Sequence, residues 1–97
     1  MHIKIHKSYR PVVALCDSNI LGKKFESGVY QLHITENFYK GEEMSKEEVI
    51  KTLIKWAIED STFNIAGQES IKTAIEAGII QEKNIAKIQD IPYALSF

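Results

Sequence analysis

Three imidazoles, a single thiol and a group of cations near the start are the side chains in this sequence that invite a chemical reading. His2 and His6 stand four residues apart; on one strand their backbones are about 13 Å from each other, too far for both to hold one ion directly. His6 with His33 on a neighbouring strand is a conceivable pair, but no cysteine or carboxylate is spaced to complete a tetrahedral zinc site, so no metal is expected. Cys16 closes an apolar run, where a lone cysteine reads as a small buried hydrophobe; a nucleophilic role would require His33 beside it. Leu21-Gly22-Lys23-Lys24 has the look of a phosphate-binding loop. The Walker pattern fails, however, because it needs a glycine and a hydroxyl where Asp17 and Lys24 stand.

The cations say more by their distribution than by their sum. Net charge is −1, which gives no overall field to draw in nucleic acid or an anionic membrane. Residues 1–24 nevertheless carry Lys4, Lys7, Arg10, Lys23 and Lys24 against Asp17 alone, a net of +4, while residues 25–48 come to −4. Those five are the candidate phosphate-binding surface, with Tyr9 and Tyr39 as candidate rings for stacking on bases. The plainer reading is a solvated face. Because Arg10 is the single arginine, lysine on phosphate would position a nucleic acid with little reading of its sequence. Gly67, at the expected start of a helix, could offer N–H groups to an anion, and Asn64 just before it is a candidate polar contact or the head of an Asx turn.

The elements that must position these groups follow from periodicity. His2 to Lys7 alternates, with Ile3 and Ile5 on one face; Val12 to Cys16 is a continuous β-branched run suited to a strand covered on both sides. Asp17-Ser18-Asn19 ends it in a tight turn. A third strand is expected over Val29 to Ile34, and Thr35 to Met44 reads as a loop or one helical turn. Ser45 with Glu48 is a capping box opening a helix over Lys46 to Asp60, whose expected core stripe is Val49, Ile50, Leu53, Ile54 and Ala57. Trp56 and Ile58 lie at the margins of that stripe and widen its apolar arc, making them candidates for contact with a protein neighbour. Phe63 to Gly67 is a short strand or loop feeding a second helix over Gln68 to Ala77, capped by Gly78. Ile85 to Gln89 is a further strand candidate, and Tyr93, Leu95 and Phe97 alternate in the tail after Pro92. The order is about β-β-β-α-α-β-β: an α+β class, with a mixed or antiparallel sheet and two helices packed on one face.

At 97 residues, 44% of them hydrophobic, the chain has material for one core, and a single domain over residues 1–97 is expected. One cysteine permits no intrachain disulfide. No stretch approaches the roughly 20 apolar residues of a membrane span, and the start lacks the apolar core of a secretion signal. A cytoplasmic protein with no membrane partner and no cofactor is expected.

Four segments in order carry a resemblance. Cys16-Asp17-Ser18-Asn19-Ile20-Leu21-Gly22-Lys23-Lys24-Phe25 resembles the C-D-x-x-L-L-G-K-x-F signature of a small archaeal family, domain of unknown function 424 (DUF424). Phe38 to Glu42 resembles its F-Y-x-G-E turn, Asn64 to Gly67 its N-L-V-G step, and Ile91-Pro92 its V-P. The chain departs from the pattern where a histidine, followed two residues later by a glutamine, would stand; Tyr93 and Leu95 occupy those places. The resemblance implies association with RNA or the translation apparatus. The matched loop residues Asp17, Leu21, Gly22, Lys23, Phe25, Asn64 and Gly67 are then the place to look. Three functions follow as expectations: a non-enzymatic module bound to RNA or the ribosome through the basic surface, a small enzyme with Asp17, Lys23 and Asn64 in one cleft, or a homo-oligomeric structural protein.

Overall fold

The alternation at the start of the chain builds β1 (His2–His6), which pairs antiparallel with β2 (Val12–Cys16) in the register that sets Ile3 beside Leu15 and Ile5 beside Val13. The computed structural model describes all 97 residues. After a short 3-10 turn at Ser18–Ile20 come β3 (Lys24–Ser27), β4 (Tyr30–His33), the one-turn helix α1 (Glu36–Tyr39) and the two-residue strand β5 (Glu42–Glu43). The chain continues through α2 (Lys46–Ile58), β6 (Thr62–Ala66), α3 (Gln68–Glu76), β7 (Ala86–Ile88) and β8 (Ile91–Ser96). No helix is long and apolar enough to cross a membrane.

Six strands form one sheet in the order β5-β1-β2-β6-β8-β7, and β3 with β4 forms a separate hairpin. Only β2 and β6 run parallel; the other pairs are antiparallel, so the sheet is mixed and the class is α+β as expected. The expected third strand over Val29 to Ile34 is the second arm of that hairpin. Its first arm, Lys24–Ser27, escapes a periodicity reading because Lys24, Glu26 and Ser27 are all exposed and only Phe25 turns inward.

Each face of the sheet has its own apolar cluster, which is why β2 reads as a continuous apolar run. On one face Ile3, Val13, Leu15, Phe63, Ile65 and Ala94 meet Val49 and Leu53 of α2 and Ile71 and Ala74 of α3. On the other, Ala14, Cys16 and Ala66 meet Ile20, Ile34 and Tyr39, with Leu21, Phe25, Leu32 and Phe38 packed alongside. The two long helices therefore share one face, and α1 with the hairpin lies on the other. Ser45 and Glu48 make both bonds of the capping box at the start of α2. Helix α2 then docks along Val49, Leu53 and Trp56 rather than along the whole expected stripe. Ile54 is 46% exposed and Ala57 is open to solvent, because the i, i+4, i+7 row, not the i+1 row beside it, faces the sheet. Trp56, expected at a margin, packs half-buried against the core, while Ile58 beyond it is exposed.

Candidate functional site

β2 and β6 run parallel, so their C-terminal ends lie side by side and bring the two principal matched loops together. Asp17, the first residue past β2, sits at the start of α3. One carboxylate oxygen accepts from the Ser70 backbone N–H and from the Ser70 hydroxyl, each at 2.7 Å, and the other accepts from the Glu69 N–H at 3.1 Å. Gly67, at the junction of β6 and α3, has φ of +107°, and a Cβ there would strike the Asp17 carboxyl group. A side chain at position 67 is thus excluded both by backbone conformation and by space. The N–H groups that a bound anion would need are already occupied by the chain's own carboxylate, and Asp17 is only 8% exposed. Beside this junction lies an open polar depression of about 420 Å³ lined by Asp17, Ser18, Asn19, Gln68, Glu69 and Lys72. Neither Lys23 nor Asn64 lines it.

The rest of the matched loop fastens the hairpin to the sheet. Leu21 and Phe25 pack on the second cluster, the Gly22 N–H donates to the Ile34 carbonyl at 2.7 Å, and the Ile34 N–H returns a bond to Lys23 O at 2.9 Å. Phe38 stacks on His6 with ring centres 4.6 Å apart, Tyr39 is buried, and the Gly67 N–H donates to Pro92 O at 2.9 Å. Among the polar side chains of the matched segments that make no hydrogen bond or ion pair are Lys23, which is exposed, and Asn64, which is half-buried on β6.

Asn64 lies on a part of the sheet that nothing covers. Phe63 and Ile65 point to the α2/α3 face, so Thr62, Asn64 and Ala66 point to the other. The strand pairing sets Lys4, Ala14, Asn64 and Leu95 in one row across that face, and His6, Val12 and Thr62 in the next, which Phe97 extends. The hairpin covers the end of the face around Cys16, Ala66 and Tyr93, and α1 covers the β1 and β2 ends of these rows, where Lys4 and His6 meet Asn37 and Phe38 and Ala14 is fully buried with Tyr39; the β6 and β8 ends, with Thr62, Asn64, Leu95 and Phe97, are left open. Leu95 is 51% exposed and Phe97 83% exposed, and neither Thr62 nor Asn64 bonds to any group of the chain through its side chain. Tyr93 and Leu95, where the chain departs from the matched pattern, both belong to this face, Tyr93 against the hairpin and Leu95 on the open half. Sequence reasoning found the alternation of Leu95 and Phe97 but not their exposure.

The five cations divide between two ends of the molecule. Lys7, Tyr9 and Arg10 lie in the exposed turn that joins β1 to β2, next to the row of Thr62 and Phe97. Arg10 donates through Nε to Asp60 O at 3.0 Å and pairs with the Asp60 carboxylate at 3.4 Å. Lys4 stands on the α1 side of β1 and donates to Asn37 O at 2.7 Å. Lys23 and Lys24 lie past the far end of β2, and Lys24 pairs with Glu26 at 3.2 Å.

Imidazole and thiol chemistry take ordinary structural forms. His2 and His6 place ring nitrogens 3.3 and 2.8 Å from the carbonyls of Gly41 and Phe38, holding the α1 segment against β1. His33 is exposed on β4. Cys16 is fully buried, and burial together with the neighbouring Asp17 pushes its thiol up to about 11, so it stays protonated at neutral pH. Burial likewise pushes the Tyr39 hydroxyl up to about 12, and the same burial removes its ring from any stacking role.

Comparison with known proteins adds two relationships. A family model described as "Protein of unknown function (DUF424)" matches residues 6–97. The crystal structure of an uncharacterized conserved protein from Methanopyrus kandleri is similar with a TM-score of 0.85 and 27% identity, over 97% of this chain and 87% of that one. No curated protein matches.

Proposed function

The chain belongs to the DUF424 family, and we propose that it is a non-enzymatic RNA-binding module, associated with RNA or the ribosome, that contacts phosphate through its basic N-terminal surface. The observation that carries this reading is the exposed turn Lys7-Ser8-Tyr9-Arg10, which joins two cations and an unpacked ring and borders the uncovered half of the sheet. Lys7 has no ion-pair partner, and an unpaired lysine on a projecting turn can reach phosphate without first breaking another contact. Asp17 supports this reading over the enzyme alternative. Its carboxylate holds α3 in place through three hydrogen bonds, and neither Lys23 nor Asn64 lines the depression beside it.

A protein neighbour belongs to the same reading. Ile54 and Ile58, one helical turn apart on α2, are both exposed on one side of the helix, which favours a small apolar contact there, while Trp56, two residues from each, turns to the core side. Gel-shift and ribosome co-sedimentation assays test the module directly. Binding should weaken steeply as salt rises, and absence of both signals at low ionic strength overturns it.

A further inference from the structure

The uncovered half of the sheet gathers three kinds of group on one plane. Phe97 presents an exposed ring; Thr62 and Asn64 present a hydroxyl and an amide with no partner in the chain; Lys7 and Arg10 border them in the turn between β1 and β2. We propose that this surface is a platform for single-stranded RNA, with Phe97 stacking on a base and Asn64 bonding to the edge of a neighbouring base. The inference rests on the RNA-binding reading above and specifies its ligand.

The chemistry of the surface selects this occupant. An apolar protein face would cover Leu95 and Phe97 but would bury Thr62 and Asn64 without partners, which is unfavourable for each polar group. A base meets both needs, since its flat face suits the ring while its edge offers donors and acceptors to an amide. Phe97 follows Ser96, which pairs with Phe63, so the ring and the Thr62 side chain are cross-strand neighbours, with Asn64 about 7 Å further along β6. Bases within a duplex are stacked on one another and cannot reach a ring on a flat sheet, so an unpaired strand is required. The Thr62 hydroxyl, able to donate and accept, suits a 2′-hydroxyl, which RNA has and DNA lacks. The bordering cations complement the phosphates: Lys7 is free, and Arg10 shares its guanidinium with Asp60.

The test uses the full chain and fluorescence anisotropy with labelled decamers: randomised single-stranded RNA, the corresponding DNA, and an RNA duplex, over a salt series. Single-stranded RNA should bind more tightly than either competitor. Phe97→Ala should weaken it about five- to thirtyfold, with Phe97→Trp restoring it. Lys7→Ala should reduce the salt slope by about 1. If the duplex binds as tightly as the single strand, or Phe97→Ala changes nothing, the platform is overturned while the phosphate-contacting module stands. Equal binding of DNA overturns the RNA assignment. No binding by any probe at low salt overturns both readings.

Discussion

Asp17 Oδ1 accepts two hydrogen bonds at 2.7 Å from Ser70, 53 residues further along the chain, one from its backbone N–H and one from its hydroxyl. A residue that ends one strand is thus the N-terminal cap of a helix that begins after another, across the single parallel pair of the sheet. The contact closes the longest crossover in the fold and ties the two matched loops to each other.

Replacing Asp17 with alanine should lower stability by about 2–3 kcal/mol, since it removes a charged cap and leaves buried donors at Ser70 without an acceptor. Urea unfolding checks this; a loss under about 0.5 kcal/mol would show that solvent replaces the carboxylate.

Gly67→Ala should be at least as costly, because φ of +107° and the Asp17 carboxyl group both oppose a Cβ. Gly28→Ala is the control. Position 28 also has positive φ, but a Cβ there meets nothing within 4 Å, so only the conformational cost of about 1 kcal/mol applies. Equal effects in thermal unfolding would refute the steric part.

Glu48 has its carboxyl group held below the usual 4.5 by hydrogen bonds from the Ser45 backbone N–H and hydroxyl. A lowered folded value means the stabilisation is full above the unfolded pKa and is lost as pH falls through the folded one. Wild type should therefore lose more stability than Ser45→Ala between about pH 7 and pH 3. Parallel pH profiles from denaturant titration would count against the capping box.

Cys16, fully buried with its thiol raised to about 11, should react with iodoacetamide at about pH 8 more than a hundredfold slower than free cysteine, and at the normal rate in urea. Mass spectrometry of the alkylated fraction gives the answer.

The two turn residues between β7 and β8, Gln89 and Asp90, have φ of +50° and +64°, as a two-residue hairpin turn requires. Asp90→Gly should stabilise the fold by about 0.5–1 kcal/mol. Gln89 is the wrong choice for the same change because its amide donates to Glu26 O at 2.7 Å and ties the turn to the β3–β4 hairpin. A lower melting temperature for Asp90→Gly would refute the strain argument.

The elements were legible where neighbours in sequence create the signal. Alternation at Ile3 and Ile5, the two-faced run Val12 to Cys16, the Ser45–Glu48 box and Gly78 all act within a few residues, and each has the expected form in the structure. The α+β class and the mixed sheet follow from those pieces. The arm Lys24–Ser27 was not legible, since a strand with one inward residue has no period to detect.

The candidate surface belongs to the other category. Sequence placed Leu95 and Phe97 on one side of a strand, and nothing local states whether that side is covered. Coverage was decided by where α1 and the hairpin come to rest, fixed by contacts such as His6 with Phe38 and Gln89 with Glu26, 32 and 63 residues apart. Asp17 shows the same division: its type and its place after a strand announced a cap or a turn, but only strand order chose α3 as the helix it caps. Periodicity is a property of the local backbone, whereas exposure and partnership depend on which distant segments pack together. The sequence by itself determined the parts of this protein and their inward faces; the tertiary structure decided which part of the sheet is left open.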